Sequence, residues 1–163
     1  MDMVRGSAFT LMPAASAADL DAIRALFRAY AASLPVDLGY QGFEDELAAL
    51  PGAYAPPQGL LLLARGADGQ PIGCGAFRAM KGGDGCEMKR VYIAPAARGL
   101  GLGIAMVEAL MAQARAAGYR AIALDTLPSM TEAHRLYAKL GFTPIAPYYD
   151  TPIEGTAFLG RAL

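Results

Sequence analysis

The feature of this sequence that most restricts its fold is a glycine-rich turn that joins an apolar strand to a helix. The strand covers residues 86–93, three glycines follow at alternate positions within residues 99–103, and the helix covers residues 102–117. A second apolar strand, over residues 120–125, follows the helix, so the two strands are joined by a crossover and pair in parallel. Hairpin signals precede this unit, and the sequence therefore predicts an α/β fold in which helices pack on a mixed sheet.

The rest of the chain divides into further strands and helices by hydrophobic periodicity and turn residues. Strands are predicted over residues 9–12, 60–64, 71–79, 86–93, 120–125 and 156–159 and around Phe142. Helices are predicted after the capping box Ser16-x-x-Asp19, ahead of Pro51-Gly52, over residues 102–117, and over residues 129–140 behind a second capping box, Ser129-x-x-Glu132. We therefore expect residues 1–163 to form one domain, with a mostly antiparallel sheet of about six to seven strands and about four flanking helices.

Composition argues against several functional classes. Hydrophobic residues make up 55% of the chain, but no stretch reaches the roughly 18 apolar residues of a membrane-spanning helix, so we expect no membrane partner. The net charge is −1 and basic residues form no stripe, which argues against nucleic acid as a partner. Cys74, Cys86 and one histidine make no metal-ligand spacing, so we expect buried, reduced thiols, no metal and a cytoplasmic protein. Residues 15–17 resemble a signal-peptidase site, but the apolar stretch before them is short, and we interpret them as mature chain.

The three glycines have a physical role at the start of the helix. Because they lack Cβ atoms, the backbone N–H groups of the helix N-terminus can approach a ligand closely, at the positive end of the helix dipole. Such a place binds phosphate, and Arg98 adds a cation beside it. One alternative is a turn that serves packing alone. Another is a dinucleotide site in which Asp125 would bind the ribose, although Gly-x-Gly-x-Gly does not match the fingerprint Gly-x-Gly-x-x-Gly of such sites.

The strand before the turn breaks the alternation of side chains between the two faces of a sheet. Glu87 and Lys89 are polar whereas Val91 and Ile93 are apolar, although strict alternation would place all four on one face. One extra residue near Arg90 or Val91 would restore the pattern, so we predict a β-bulge in this fourth strand. A bulge splays the strand from its neighbour and frees backbone groups for an amide-containing ligand. The alternative is a strand with one half-exposed face.

Two sequence blocks resemble the GNAT superfamily of N-acetyltransferases. Arg98-Gly99-Leu100-Gly101-Leu102-Gly103 matches the superfamily signature Arg/Gln-x-x-Gly-x-Gly/Ala. Ala133-His134-Arg135-Leu136-Tyr137-Ala138-Lys139-Leu140-Gly141-Phe142 resembles its element Ala-x-x-Leu-Tyr-x-Lys-x-Gly-Phe. The resemblance covers residues 86–143, and residues 147–155 are similar to bacterial members. It implies the GNAT fold, acetyl-CoA as the acetyl donor and an amine as the usual acceptor.

The resemblance assigns acetyl-CoA to two backbone segments. The pyrophosphate is expected on the glycine-rich turn, formed by Arg98, Gly99, Leu100, Gly101, Leu102, Gly103 and Ile104. The pantetheine arm is expected to pair like an extra strand with the backbone of Val91, Tyr92 and Ile93. Many members have an asparagine where this chain has Met130. The hydroxyl of the neighbouring Ser129 is the candidate replacement for that contact, and helix capping is its alternative role.

The resemblance also implies two catalytic side chains. Tyr137 is expected to act as the general acid that protonates the departing sulfur, although its place on the apolar face of a helix also fits a core aromatic. Glu87 is expected to deprotonate the amine, directly or through water, and the alternative is a solvated strand carboxylate. His134 lies one position off the apolar face and is interpreted as a solvated helix residue.

Acceptor-binding residues in this superfamily come from the first two helices, their loop and the final strands. The candidates here are Tyr40, Phe43, Glu44, Tyr148, Tyr149, Asp150 and Glu154. Aromatic and acidic side chains together can hold a small cationic amine, and surface packing explains them equally well. Because the near-neutral charge argues against a histone tail, the leading hypothesis is transfer of an acetyl group to a small-molecule amine, by direct attack in a ternary complex.

Two other functions use the same fold. One is a non-catalytic acetyl-CoA-binding or regulatory module, against which the presence of Tyr137 argues. The other is a protein N-terminal or lysine acetyltransferase. A homodimer is compatible with the leading hypothesis.

Overall fold

Every strand that the structure describes belongs to one mixed sheet. The structure is a computed structural model, which describes residues 4–5 and 8–163. The strands are β1 (Val4–Arg5), β2 (Phe9–Pro13), β3 (Leu60–Gly66), β4 (Pro71–Ala79), β5 (Gly85–Ile93), β6 (Ala121–Thr126), β7 (Thr143–Pro144) and β8 (Ala157–Ala162). They lie in the order β1-β2-β3-β4-β5-β6-β8-β7, and only β5 and β6 are parallel neighbours. The predicted mostly antiparallel sheet is confirmed, with six long strands and two strands of two residues.

Four α-helices flank the sheet, as predicted. They are α1 (Ala17–Ser33), α2 (Phe43–Ala49), α3 (Leu102–Ala116) and α4 (Thr131–Lys139). The capping box of α1 is present, because the Asp19 N–H donates to Ser16 Oγ at 3.1 Å and the Ser16 N–H donates to the Asp19 carboxylate at 3.3 Å. The second predicted capping box, at Ser129, is wrong. The Met130 N–H donates to the Leu127 carbonyl in a turn, and α4 begins only after that turn, with no side-chain cap.

Different helices cover the two faces of the sheet and form two apolar cores. Helices α3 and α4 pack on one face, where the most buried residues of α3 are Leu102, Met106, Val107, Leu110 and Ala114. Helices α1 and α2 pack on the other face, where the buried residues include Ile23, Phe27, Leu47 and Tyr54. Each face of the sheet therefore has its own set of helices, and a ligand on one face meets different residues from a ligand on the other.

The two cysteines are free and buried, as the sequence predicts. Burial raises the pKa of the Cys86 thiol to about 12. Burial also raises the pKa of the Cys74 thiol, which donates to the Arg90 carbonyl at 3.3 Å. Both side chains therefore act as small apolar groups in the core.

Strand β5 contains a bulge at the place that the sequence predicts. Its register against β4 shifts between Lys89 and Tyr92, so that Arg90 and Val91 together oppose one residue of β4. Arg90 has a φ of 60°, in the left-handed region. Lys89 and Arg90 both bond to Gln41 on the α1–α2 face, whereas Val91 packs in the core under α3. The extra residue thus brings two consecutive cations to one face of the sheet.

Strands β5 and β6 pair over three residues and then diverge. Pairing stops at Glu87 of β5 and Ala123 of β6. Beyond that point β5 follows β4 to Ile93, and β6 follows β8 to Thr126. A V-shaped opening therefore separates two neighbouring strands, as predicted for the fourth strand of the sequence. The fourth predicted strand is numbered β5 in the structure because the two-residue strand β1, which the sequence did not predict, precedes the others.

We predict that Leu110→Ala lowers the free energy of unfolding by about 2–5 kcal/mol. Leu110 is fully buried, and its Cδ1 lies so close to Gly75 of β4 that a Cβ added there would come within 2.8 Å of it. The matched control is Leu100→Ala, which shortens a leucine that is 47% exposed. The control should change the free energy by less than about 0.5 kcal/mol. Urea unfolding followed by circular dichroism measures both variants, and equal stability of the two would contradict the tight packing of α3 on β4.

Candidate active site at the splayed strands

A groove of about 630 Å³ lies between the end of β5 and the N-termini of α3 and α4. The predicted acetyl-CoA residues that line it are Val91, Tyr92, Ile93, Arg98, Gly99, Gly101, Leu102, Gly103, Ile104 and Ser129. Met130 lines the groove as well, at the position where many GNAT members have asparagine. Leu100 lies on the exposed loop ahead of α3 and does not line the groove. The structure thus brings together all but one of the residues that the sequence assigns to acetyl-CoA.

The N-terminus of α3 opens into this groove without a side-chain cap. Its N-cap residue is Gly101 with a φ of 75°, and Gly99 has a φ of 88°, so both adopt a conformation that favours glycine. The first helical hydrogen bond of α3 is donated by Ala105, which leaves the N–H groups of residues 102–104 without a partner inside the helix. These donors lie at the positive end of the helix dipole beside Arg98. The arrangement suits a phosphate group.

Tyr137 of α4 lies where the groove meets the opening between β5 and β6. Its side chain is buried, and its ring centroid is 5.6 Å from that of Phe142. Burial raises the pKa of its hydroxyl, and Tyr30 and Asp125 raise it further. The hydroxyl is therefore protonated at neutral pH, as a general acid must be. Tyr137 is both a core aromatic and a residue of the groove.

The opening itself is a narrow cleft of about 30 Å³ that contains a buried ion pair. The Nζ atom of Lys89 lies 3.4 Å from Asp125 Oδ1 and donates to Gln41 Oε1 at 3.1 Å. The Tyr149 hydroxyl donates to Asp125 Oδ2 at 2.6 Å. Burial lowers the pKa of Lys89, and the charges of Asp125 and Glu87 oppose that shift. Because these partners hold Asp125 on the α1–α2 face, its alternative role as a ribose-binding acid is wrong.

A second buried ion pair, between Glu46 of α2 and Arg90 of the bulge, connects these two elements. Arg90 Nε donates to Glu46 Oε2 at 2.9 Å, and Arg90 Nη1 donates to Gln41 Oε1 at 2.8 Å. Burial by itself lowers the pKa of Arg90, but the hydrogen bonds and charge of Glu46 outweigh it and raise that pKa. Gln41 Oε1 thus accepts hydrogen bonds from both Lys89 and Arg90. The two ion pairs form one polar network beneath α1 and α2.

A pocket of about 520 Å³ opens next to this network, on the α1–α2 face. Three of the residues predicted to bind the acceptor line it, namely Tyr40, Tyr148 and Tyr149. Glu87 lines it too. Tyr40, Gln41 and Lys89 line both this pocket and the cleft, so the two spaces adjoin. We refer to this space as the acceptor pocket.

Glu87 is buried in the wall of the acceptor pocket, which excludes the solvated carboxylate that the sequence left open. Its Oε1 accepts a hydrogen bond from Arg78 Nε at 3.1 Å. The Tyr148 hydroxyl is buried nearby and makes no well-formed hydrogen bond to the described residues. Burial raises the pKa of Tyr148, and the Glu87 carboxylate, to which the hydroxyl lies close, adds to that rise through its charge and as a hydrogen-bond acceptor. The pocket thus combines a carboxylate that is paired with Arg78 and a buried hydroxyl that lies close to the same carboxylate.

Four other acceptor candidates lie outside the acceptor pocket. Phe43 is buried in α2, where the guanidinium of Arg90 lies 5.2 Å from its ring centroid. Glu44 is exposed and pairs with Arg28 at 3.3 Å. Asp150 and Glu154 are exposed. Of these residues, only Phe43 acts on the site, by packing against an arginine that the bulge turns inward.

Sequence reasoning missed the buried polar groups between the two pockets. These are Gln41, Glu46, Lys89, Arg90 and Asp125 as a network. The signal that could have found them is a pair of consecutive cations at a predicted bulge, because a bulge turns both to one face. The expectation of a solvated His134 is wrong, since it is half-buried and its Nε2 lies 2.9 Å from the Leu127 carbonyl.

Within residues 4–5 and 8–163, no group of three or more histidine, cysteine, aspartate or glutamate side chains is arranged to hold a metal ion. None of the helices in that part of the chain is both long and apolar enough to cross a membrane.

Comparisons with known proteins agree with this geometry. The profile of the Acetyltransferase (GNAT) family matches residues 22–142. An N-acetyltransferase of Schizosaccharomyces pombe is 38% identical over 141 residues, which are 86% of this chain and 86% of that protein. The aminoglycoside N(6')-acetyltransferase type 1 of Stenotrophomonas maltophilia is 31% identical over 123 residues, 70% of this chain and 80% of that protein.

A solved structure has the same fold. An acetyltransferase of Salmonella typhimurium, determined with its cofactor acetyl-CoA, matches this chain with a TM-score of 0.68 at 21% identity. The match covers 96% of this chain and 94% of that one. The family match spans most of the chain, and the S. pombe relative aligns over nearly its whole length. The chain therefore belongs to the GNAT family and is an acetyltransferase.

Proposed function

We propose that this protein transfers the acetyl group of acetyl-CoA to the amine of a small molecule, by direct attack in a ternary complex. Two pockets on opposite faces of the sheet, which adjoin the same cleft between β5 and β6, carry the proposal. Tyr137 borders the groove and the cleft, while Lys89 borders the cleft and the acceptor pocket. Donor and acceptor can therefore enter from different sides and meet at the cleft, which direct transfer between them requires.

The groove fits a molecule with a pyrophosphate at one end and an amide-containing arm. The uncapped N–H groups of residues 102–104 and the cation of Arg98 suit the pyrophosphate. Beyond Glu87, β5 no longer pairs with β6, so the backbone of residues 91–93 has one free edge for the amides of the arm. The hydroxyl of Ser129 lines the same groove. When bound, acetyl-CoA would supply the thioester that is cleaved.

Tyr137 is the proposed general acid. The amine nitrogen forms a bond to the acetyl carbon, the bond between that carbon and sulfur breaks, and the sulfur leaves as a thiolate. A proton from the Tyr137 hydroxyl neutralises the thiolate, and the second proton that the attacking nitrogen must lose returns to the tyrosinate, directly or through water. The hydroxyl is protonated at neutral pH, although the burial that raises its pKa also makes it a weaker acid. The position of Tyr137 between groove and cleft supports this role.

Glu87 is the proposed base. An amine is protonated in water at neutral pH and attacks only after it loses a proton. Oε1 of Glu87 is taken by Arg78, and its Oε2 makes no hydrogen bond to the described residues. Oε2 can therefore accept the proton of the ammonium group, directly or through a water molecule. Its place in the acceptor pocket, rather than in the groove, supports a role toward the acceptor.

We predict that the purified protein releases coenzyme A from acetyl-CoA with small primary amines, with kcat/KM at least about tenfold above that for peptides with a free N-terminus or lysine. The reason is the volume of the acceptor pocket, about 520 Å³, which suits a small molecule and in which Tyr40 and Tyr149 form part of the wall. The relative from Stenotrophomonas maltophilia is named as an acetyltransferase of aminoglycosides, which are small molecules. A thiol reagent measures the release. Turnover with peptides alone would favour the protein acetyltransferase instead.

We predict that Tyr137→Phe lowers kcat about 100-fold, the size of a lost general acid, and changes the Kd for acetyl-CoA less than about twofold. Steady-state kinetics and calorimetric titration measure the two quantities. Phe142→Leu is the control, because it alters the same aromatic contact and leaves the hydroxyl in place. Equal losses of kcat in both variants, or a parallel loss of acetyl-CoA affinity in Tyr137→Phe, would assign Tyr137 to packing alone.

Arg98→Ala should weaken acetyl-CoA binding about tenfold at low salt and less at high salt, because exposed charge pairs are screened by ions. Arg98 is exposed and borders the groove. The control is Arg115→Ala, which removes an exposed arginine from the last turn of α3. Titration of acetyl-CoA at two salt concentrations tests the prediction. An affinity that is unchanged, or that falls equally in both variants, would remove Arg98 from the site.

A further inference from the structure

We infer that the acceptor carries a carboxylate close to its amine, as an amino acid does. The inference rests on the proposed function and names the class of its acceptor. It follows from the charges and the spare hydrogen-bond donors of the acceptor pocket. Three cations line that pocket, Arg78, Lys81 and Lys89, whereas Glu87 is the one carboxylate among the described residues that line it.

The carboxylates that balance two of the buried cations lie away from the pocket surface. Asp125 accepts hydrogen bonds from Lys89, Gln41 and Tyr149, and it lines the cleft rather than the pocket. Glu46 accepts from Arg90 and from Tyr54, and its Oε1 also lies 3.8 Å from Nη1 of Arg78. Their oxygens are therefore occupied by the protein. A ligand in the acceptor pocket meets the cations without meeting these two anions.

Several donors in the pocket have no acceptor. The terminal nitrogens of Arg78 make no hydrogen bond to the described residues, and its Nη1 comes no closer than 3.8 Å to Glu46 Oε1. Lys89 has three N–H bonds and two acceptors. The Tyr148 hydroxyl is buried and makes no well-formed hydrogen bond to the residues described, although it lies close enough to the Glu87 carboxylate for that group to raise its pKa. A carboxylate supplies two oxygens that can accept hydrogen bonds from such donors, and bonds to charged donors are stronger than neutral ones.

The second carboxylate oxygen of Glu87 is suited to the other end of the same molecule. Oε2 of Glu87 has no partner among the described residues and can bind the ammonium group before it is deprotonated. A compound with an amine and a carboxylate would thus satisfy both kinds of group in the pocket. A polyamine or an aminoglycoside would place several positive charges against Arg78, Lys81 and Lys89. The pocket therefore favours a zwitterionic acceptor over a polycation.

Matched acceptors test the inference. Each set holds an L-amino acid, its carboxamide and the amine that lacks the carboxyl group, built on leucine, methionine, phenylalanine and glutamate side chains. The wild-type protein with acetyl-CoA is expected to give, for at least one side chain, a kcat/KM about tenfold higher for the carboxylate than for either relative. The carboxamide has the less basic amine and so the larger unprotonated fraction at pH 8. A preference for the carboxylate therefore does not come from amine basicity.

A charge reversal at the mouth of the pocket tests the origin of that preference. Lys81 lies in an exposed turn, so Lys81→Glu should fold normally, and it should lower the ratio of carboxylate to carboxamide about threefold or more. Arg115→Glu makes the same change of net charge on an exposed part of α3 and should leave the ratio unchanged. Lys89→Met removes a deeper donor and should abolish the preference, provided that circular dichroism shows it folded.

The outcomes separate the two proposals. Equal or better turnover of the carboxamides or plain amines across the sets would overturn the inference and leave acetyl transfer to small amines intact. Turnover of spermidine or kanamycin with none of the amino acids would overturn it too. A failure to release coenzyme A with any amine, while acetyl-CoA still binds, would overturn the proposed function first.

Discussion

The extra residue in β5 is the constraint on which the rest of the site depends. A strand with one residue more than its partner loses register, bends and twists more strongly at that point. In this protein the bulge lies at Arg90 and Val91, three residues beyond the last pair between β5 and β6 at Glu87, and the two strands do not pair again. Without the bulge, Arg90 would point toward α3, where the core is apolar. The cleft, the free edge of β5 and the buried charges all follow from that single insertion.

Buried ion pairs of this kind add little to the free energy of unfolding. The removal of two charges from water costs several kcal/mol, and their attraction offsets it only when geometry and further hydrogen bonds are good. Arg90 and Glu46 meet that condition, with Gln41 and the ring of Phe43 as further partners of the guanidinium. What the pairs provide is position. They hold the segment from Gln41 to Glu46 against the bulge, and thereby hold one wall of the acceptor pocket.

Local features of the sequence predicted most of the residues that line the groove, to which the proposed function assigns the donor. The glycines of the turn and the strand before it are recognisable from spacing, because their roles depend on backbone geometry. Tyr137 was recognisable only through the resemblance of its helix to the GNAT element. Even the bulge is visible, as a change in the phase of polar and apolar residues. The expected capping box at Ser129 fails because a turn that involves the Leu127 carbonyl delays the start of α4.

The other half of the site was not predictable in the same way. Gln41 and Tyr149 are 108 residues apart in the chain, yet both approach Asp125. No pattern in the sequence around either residue predicts its contact with Asp125, because contacts between polar side chains that are distant in the chain produce no periodic spacing. Phe43 is an example of the opposite error, in which the sequence suggested a role that the contacts of the side chain do not support. Its position suggested the acceptor, but α2 turns its ring toward Arg90 instead.

The division of the site between two faces of the sheet has a consequence for how such an enzyme changes over time. The groove is lined by the end of β5, the glycine-rich turn and the N-termini of α3 and α4. The acceptor pocket also contains residues from the segment before α2 and from the loop before β8. Substitutions in those two loops can change the shape of the acceptor pocket without changing the groove. Under the proposed function, a chain with this architecture can therefore change its acceptor through these loops while its acetyl donor stays the same. The cleft must be conserved, because donor and acceptor meet there.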